Sequence, residues 1–121
     1  MTETSTRPAL ATALAFHQAW TCKNLDESMT YIADDITVEA PGARIAGAEQ
    51  YRGFLGQFLP AVTGAKMIAS FGDDTTAVLF YYLNTVPVSD ALTAQCFTVK
   101  DGKITGILLV FDPSPFAPPQ T

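Results

Sequence analysis

Apolar residues recur at helical spacing near the start of the chain and alternate with polar ones from its middle onward. Leu10, Ala13, Leu14, Phe16, His17 and Trp20 mark the first helical stretch. Pro8 suits its first turn, with Ser5 or Thr6 as the cap, which predicts a helix over about residues 8–22. Asn24 begins a second helix, expected over about 25–33, with Glu27 three residues on as a capping-box partner. Leu25, Met29 and Ile32 are its buried stripe, and Asp34-Asp35 break it. Ile36, Val38 and Ala40 alternate with Thr37 and Glu39 as in a strand, which Pro41-Gly42 ends. A very short strand is expected around Arg44-Ile45. Gly47 then opens a third helix, expected over about 47–59, with Tyr51, Phe54, Leu55 and Phe58 on its apolar face and Pro60 as its stop. The remainder reads as strand. Lys66–Phe71 pairs with Thr76–Thr85, and Ala91–Lys100 pairs with Lys103–Phe111 across Asp101-Gly102, a dipeptide that favours a tight hairpin. Three helices and four long antiparallel strands predict an α+β fold, a sheet curled into a half-open barrel with helices in its concave face.

Both faces of these strands are apolar, whereas an antiparallel sheet with one wet face alternates apolar and polar positions. Helices can cover one face. The other is expected to meet a second copy of the chain, with Leu79, Tyr81, Leu92, Ala94, Leu108 and Val110 at or near the contact. The alternative is a monomer whose C-terminal tail covers part of that face.

Composition narrows the function classes. The 121 residues suit a single domain spanning 1–121, and 48% hydrophobic content excludes a disordered chain. Twelve acidic residues against seven Lys and Arg give a net charge of −5, with no basic cluster for phosphates or anionic lipid. Residues 1–7 are polar and read as disordered, without a secretory pattern. Residues 113–121 read as a proline-rich extended tail. No apolar run, Ile107–Phe111 included, is long enough to span a bilayer. A cytoplasmic location follows as the expectation, with Cys22 and Cys96 as free thiols. No Gly-rich phosphate loop, metal-ligand spacing or nucleophile elbow is present, so neither a metal nor a cofactor is expected.

The order of signals across Asn24–Gly47 resembles that of the nuclear-transport-factor-2-like superfamily, especially its SnoaL-like and ketosteroid-isomerase branches. The resemblance implies a curved sheet wrapped around a cone-shaped apolar pocket, and a homodimer. It also implies which residues line the cone. Gln95, Phe97, Ile107 and Phe111 would face inward, with Phe80, Tyr82 and Asn84 across from them. Phe16, Trp20, Ala40, Tyr51, Phe54 and Phe58 would close the cone from the other side. Tyr82, Asn84 and Gln95 would orient a ligand. Alternatively, the aromatics pack on one another and leave no cavity.

Ketosteroid isomerases use a carboxylate base, a phenol and a neutral carboxylic acid. The resemblance puts Ala40, Phe16 and Gln95 at those three positions, so that mechanism is rejected. SnoaL-like cyclases carry an acid–base aspartate at the end of the last strand, and Asp112 stands there; its alternative role is to accept turn hydrogen bonds before Pro113. Relatives resembling limonene-epoxide hydrolase use an Asp-Arg-Asp arrangement. Arg44 and Arg52 lie near the right region, but no second inward carboxylate accompanies them. His17, the single histidine, reads as a half-buried packing residue. Three readings remain: a small-molecule pocket protein taking a mostly apolar ligand, a cyclase- or isomerase-type enzyme using Asp112, and a structural dimerisation module.

Overall fold

The computed structural model describes residues 8–86 and 88–112. The expected Ser5 or Thr6 cap, the expectation of disorder for residues 1–7 and that of an extended tail for residues 113–121 therefore lie outside the described residues. Helix α1 spans Pro8–Thr21, α2 Leu25–Met29 and α3 Ala48–Phe58, with a 3₁₀ turn over Leu59–Ala61. The strands are β1 Ile32–Ala40, β2 Ala43–Ala46, β3 Val62–Gly72, β4 Thr76–Thr85, β5 Ala91–Lys100 and β6 Lys103–Phe111. They form one sheet in the order β2-β1-β6-β5-β4-β3. The sheet is curved and unclosed, with β2 and β3 as its two edges.

Two expectations need correction. The sheet is mixed, because β1 runs parallel to β6, with Val38 opposite Ile107 and Glu39 opposite Leu108; an all-antiparallel sheet was expected. The other pairs are antiparallel. The second helix is also shorter than predicted. Ile32 pairs with Ile104, and the ladder is irregular between Ile32 and Thr37. Asp34 and Asp35 occupy that irregularity, exposed inside a strand rather than at the end of a helix. Met29 and Ile32 had the three-residue spacing of a helix face, but β6 offers Ile32 a ladder partner that a longer helix would forfeit.

Local chemistry accounts for the remaining boundaries. Asn24 caps α2 as expected: its Oδ1 accepts from the Glu27 amide at 3.0 Å. Asp101 and Gly102 have φ of 53° and 76°, the left-handed pair that a two-residue hairpin requires. At the end of α1, the Asn24 amide donates to the Ala19 carbonyl and the Lys23 amide to the Trp20 carbonyl. That is the Schellman pattern, and it places Lys23 in the left-handed region at φ 63°. Glycine occupies this conformation without steric cost. Lys23→Gly should therefore raise stability by about 0.5–1 kcal/mol, read as a higher denaturant midpoint with an unchanged slope. An unchanged or lower midpoint would contradict this.

The core lies between α1, α3 and the concave face of the sheet. Small Ala9 and Ala13, both fully buried, let α1 approach the β3–β4 hairpin closely. A Cβ on Gly72 would sit 2.8 Å from that of Leu10, so glycine is needed there for space. Phe16, Ile36, Val62, Leu79, Phe97 and Ile104 are sealed from solvent.

Candidate functional site

Register decides which side chains face the concave side. Leu79 lies opposite Gln95, Tyr81 opposite Thr93 and Leu83 opposite Ala91. Directly opposed residues of an antiparallel pair share a face, and these positions are buried or partly buried. Phe80, Tyr82 and Asn84 therefore point outward, opposite Ala94 and Leu92 for the first two. This corrects the inward placement of Phe80, Tyr82 and Asn84, and the outward placement of Leu79 and Tyr81, by one residue along β4. A one-residue slip moves every side chain to the other face.

The concave side encloses a cavity of about 430 Å³, within the range of small-molecule sites. Trp20 of α1 and Tyr51, Phe54, Leu55 and Phe58 of α3 form its helical wall. Tyr81 and Leu83 of β4, Thr93 and Gln95 of β5, and Ile107, Leu109 and Phe111 of β6 form the sheet wall. Val38, Ala40, Pro41, Ala43 and Ile45 complete it from the β1–β2 hairpin. Exposure rises from Trp20 and Gln95, both buried, to Pro41, Ala43 and Phe54, which are exposed. These last three mark the mouth.

Of the residues expected to line the cone, Trp20, Ala40, Tyr51, Phe54, Phe58, Gln95, Ile107 and Phe111 do so. Phe16 and Phe97 lie beneath the cavity, both fully buried and packed edge to face at a centroid distance of 6.1 Å. The wall residues that sequence reading missed include Tyr81, Leu83 and Leu109. Tyr81 was detectable only by pairing β4 with β5 in the correct register. Along α3 the rings of Tyr51, Phe54 and Phe58 stack in succession, with centroids 6.2 and 5.9 Å apart, so one wall is a continuous aromatic surface.

The polar content of the wall is small. Tyr81 donates its hydroxyl to Gln95 Oε1 at 2.7 Å in a buried contact, which orients the amide. The Gln95 amide nitrogen then has no partner among the described residues. The Tyr51 hydroxyl is likewise without one. Burial pushes both phenols well above their usual range, and for Tyr81 the neighbouring Tyr51 adds to the shift. Both therefore stay protonated at any working pH. Thr93 Oγ1 donates to the Ala91 carbonyl. Among the described residues no charged side chain lines the cavity. The wall thus supplies neutral hydrogen-bond donors and a large apolar surface, with no group that titrates near neutrality.

The candidates for acid–base chemistry stand elsewhere. Asp112 follows β6 in an exposed position and is not among the residues of the cavity wall. Arg52 pairs with Asp26 at the surface, joining α3 to α2. Arg44 is exposed on β2, opposite Glu39. His17 is more buried than expected, 8% exposed, and packs edge-on against Trp20 and Tyr81 at 5.0 and 4.7 Å. It stands behind the wall, not in it. Cys22 and Cys96 are free thiols.

The family model for the SnoaL-like domain matches residues 13–107. The chain belongs to the SnoaL-like domain family. A crystal structure of a protein from Kribbella flavida DSM 17836 is similar to this SnoaL-like chain at 44% identity, with a TM-score of 0.87 and 90% of each chain covered. A SnoaL-like protein of unknown function from Burkholderia thailandensis shares 17% identity at a TM-score of 0.74, covering 93% of this chain and 98% of that one. An LEH-like epoxide hydrolase of M. tuberculosis shares 23% identity at a TM-score of 0.77, covering 91% and 86%. The last two show the shared fold alone. No curated protein matches this SnoaL-like sequence. Among the described residues no helix is long and apolar enough to cross a membrane.

Proposed function

We propose that this SnoaL-like protein binds a neutral, mostly apolar small molecule in the cone, with a hydrogen-bond acceptor of the ligand, such as a carbonyl oxygen, facing the Gln95 amide. The observation that carries this reading is the composition of the wall. It is apolar and aromatic, it holds no charge among the described residues, and its unengaged polar groups are the Gln95 amide nitrogen and the Tyr51 hydroxyl. An anion would find no cation there, and a cation no carboxylate, so either would lose its hydration without compensation. A carbonyl would meet a donor already oriented by Tyr81. The aromatic row along α3 favours a flat ligand.

The test uses 6-propionyl-2-(dimethylamino)naphthalene, a neutral flat ketone whose emission shifts to the blue in apolar surroundings. Wild-type protein should shift its emission saturably. Gln95→Leu should weaken binding about tenfold, the value of one hydrogen bond of about 1–1.5 kcal/mol. Leu83→Trp, which fills the cavity from β4, should abolish it. Absence of a shift with the wild-type protein, or equal affinity in the Leu83→Trp variant, would refute a ligand site in the cone.

A further inference from the structure

Two polar side chains in the buried part of the cavity wall, Tyr51 and Gln95, have hydrogen-bonding capacity left over, and they differ in kind. The Tyr51 hydroxyl can donate or accept, so it serves a ligand of either polarity. Gln95 has one end committed, because its Oε1 accepts from the Tyr81 hydroxyl. What remains is the amide nitrogen, which can only donate. The choice between ligand acceptors and ligand donors is therefore made at Gln95. A turn of the amide would exchange its oxygen and nitrogen and reverse that choice. Tyr81 opposes the turn. Its hydroxyl would then accept an N–H, and its own proton would need a new acceptor. Among the described residues none stands ready. His17 packs its ring on Tyr81 at 4.7 Å, yet its Nδ1 makes no hydrogen bond. Thr93, directly opposite Tyr81, is engaged with the Ala91 carbonyl. Nor can the phenol shed the proton, since burial holds its pKa well above the usual range. An unmet phenol proton in this place carries the full desolvation penalty of the group.

We infer that Tyr81 is a specificity-determining residue of the cone: it locks Gln95 as a donor, so that the site takes ligands whose leading polar atom is a hydrogen-free acceptor and rejects flat ligands that can only donate there. The inference rests on the reading of the cone as a ligand site and adds the polarity of what it takes. Ketones, quinones and lactones satisfy the amide. A ring N–H of the indole or carbazole kind sets one donor against another and leaves both unpaired, which is the costly arrangement in a buried site. The geometry also orients the ligand. Gln95 is buried while Pro41, Ala43 and Phe54 at the mouth are exposed. The acceptor therefore enters first, and the apolar body follows along the ring faces of α3. Tyr81 acts here through Gln95, as a positioning residue, and its signature is a ratio of affinities and not affinity alone.

The test compares 9-fluorenone with carbazole, two flat neutral tricycles of similar outline, one presenting a carbonyl oxygen and the other an N–H at the same ring position. Each is titrated against 6-propionyl-2-(dimethylamino)naphthalene bound to the full chain, and displacement gives its affinity. The wild type should bind fluorenone at least about tenfold more tightly than carbazole. In Tyr81→Phe the ring remains but the lock is gone, and the two affinities should come within about threefold of each other. Gln95→Leu should also erase the preference, by weakening fluorenone. If Tyr81→Phe fails to fold, the wild-type ratio still decides, because an amide free to turn shows no preference. A wild type that binds the dye but takes both tricycles equally, or carbazole better, overturns this inference while leaving the cone a ligand site. So does a Tyr81→Phe variant that folds and keeps the wild-type ratio. A wild type that binds neither dye nor tricycle overturns both readings.

Discussion

Replacing Phe16 with alanine should lower the stability of the fold by about 3–5 kcal/mol. Phe16 is sealed from solvent and lies between Tyr51 of α3, at a ring-centroid distance of 6.4 Å, and Phe97 of β5, at 6.1 Å. It is the point at which helix α1 grips both the other helical wall and the sheet. Truncation removes the transfer free energy of the ring and leaves a void whose lining side chains belong to three elements and cannot all collapse into it. Domains of this kind are stable by about 5–15 kcal/mol, so the variant should retain only part of that margin. The contrast is Phe54→Ala at the mouth. Phe54 stacks on Tyr51 and Phe58 but is 44% exposed, so its loss should cost about 1 kcal/mol. Denaturant unfolding at neutral pH measures both. A Phe16→Ala cost below that of Phe54→Ala would mean that the core is centred elsewhere.

Acidification from pH 6.5 to pH 4 should remove about 3 kcal/mol of stability through His17 alone. Burial lowers its pKa from 6.5 to about 4, and its Nδ1 is enclosed with no hydrogen-bond partner. The folded state therefore keeps the ring neutral across this interval, while the unfolded chain takes up a proton. The unfolded state binds more protons below pH 6.5, so stability falls as the pH falls. The loss is complete once the pH passes the folded-state value near 4, below which both states are protonated. His17→Leu should lack this slope. Other acid-sensitive groups are common to both proteins and cancel in the comparison; one is Asp73, whose carboxylate the Thr75 and Thr76 amides hold below its usual range. If the two proteins lose stability in parallel over that interval, His17 is not desolvated in the native state.

Much of the architecture was readable because local signals and tertiary structure agree. The Asp101-Gly102 hairpin, the Asn24 cap and the bounds of β4, β5 and β6 each follow from a few adjacent residues. The face of β4 did not, for a physical reason. Val78, Phe80 and Tyr82 are as apolar as Leu79, Tyr81 and Leu83, so a two-residue period carries no sign. Only the pairing of Leu79 with Gln95 breaks the tie. The cavity was half legible for the same reason. Helix α3 and β5–β6 present their inner residues unambiguously, whereas Tyr81, which orients Gln95, depended on that tie. The parallel pairing of β1 with β6 left no local mark either, since it joins strands more than sixty residues apart.

That pairing also bears on how the chain comes to be made. Emerging from a ribosome, β1 would appear early, yet the strand on which it lies is the last one described. Until β6 is synthesised, the β1–β2 hairpin has an unsatisfied edge, and Thr37, Val38 and Glu39 lack their partners Gly106, Ile107 and Leu108. The meander from β3 to β6 closes through contacts between neighbours in sequence and can form as a unit. The hairpin must wait for it and dock last. A nascent chain stalled just before Lys103 would thus expose a bare edge at each of two sheets at once, the circumstance in which strands from different molecules join.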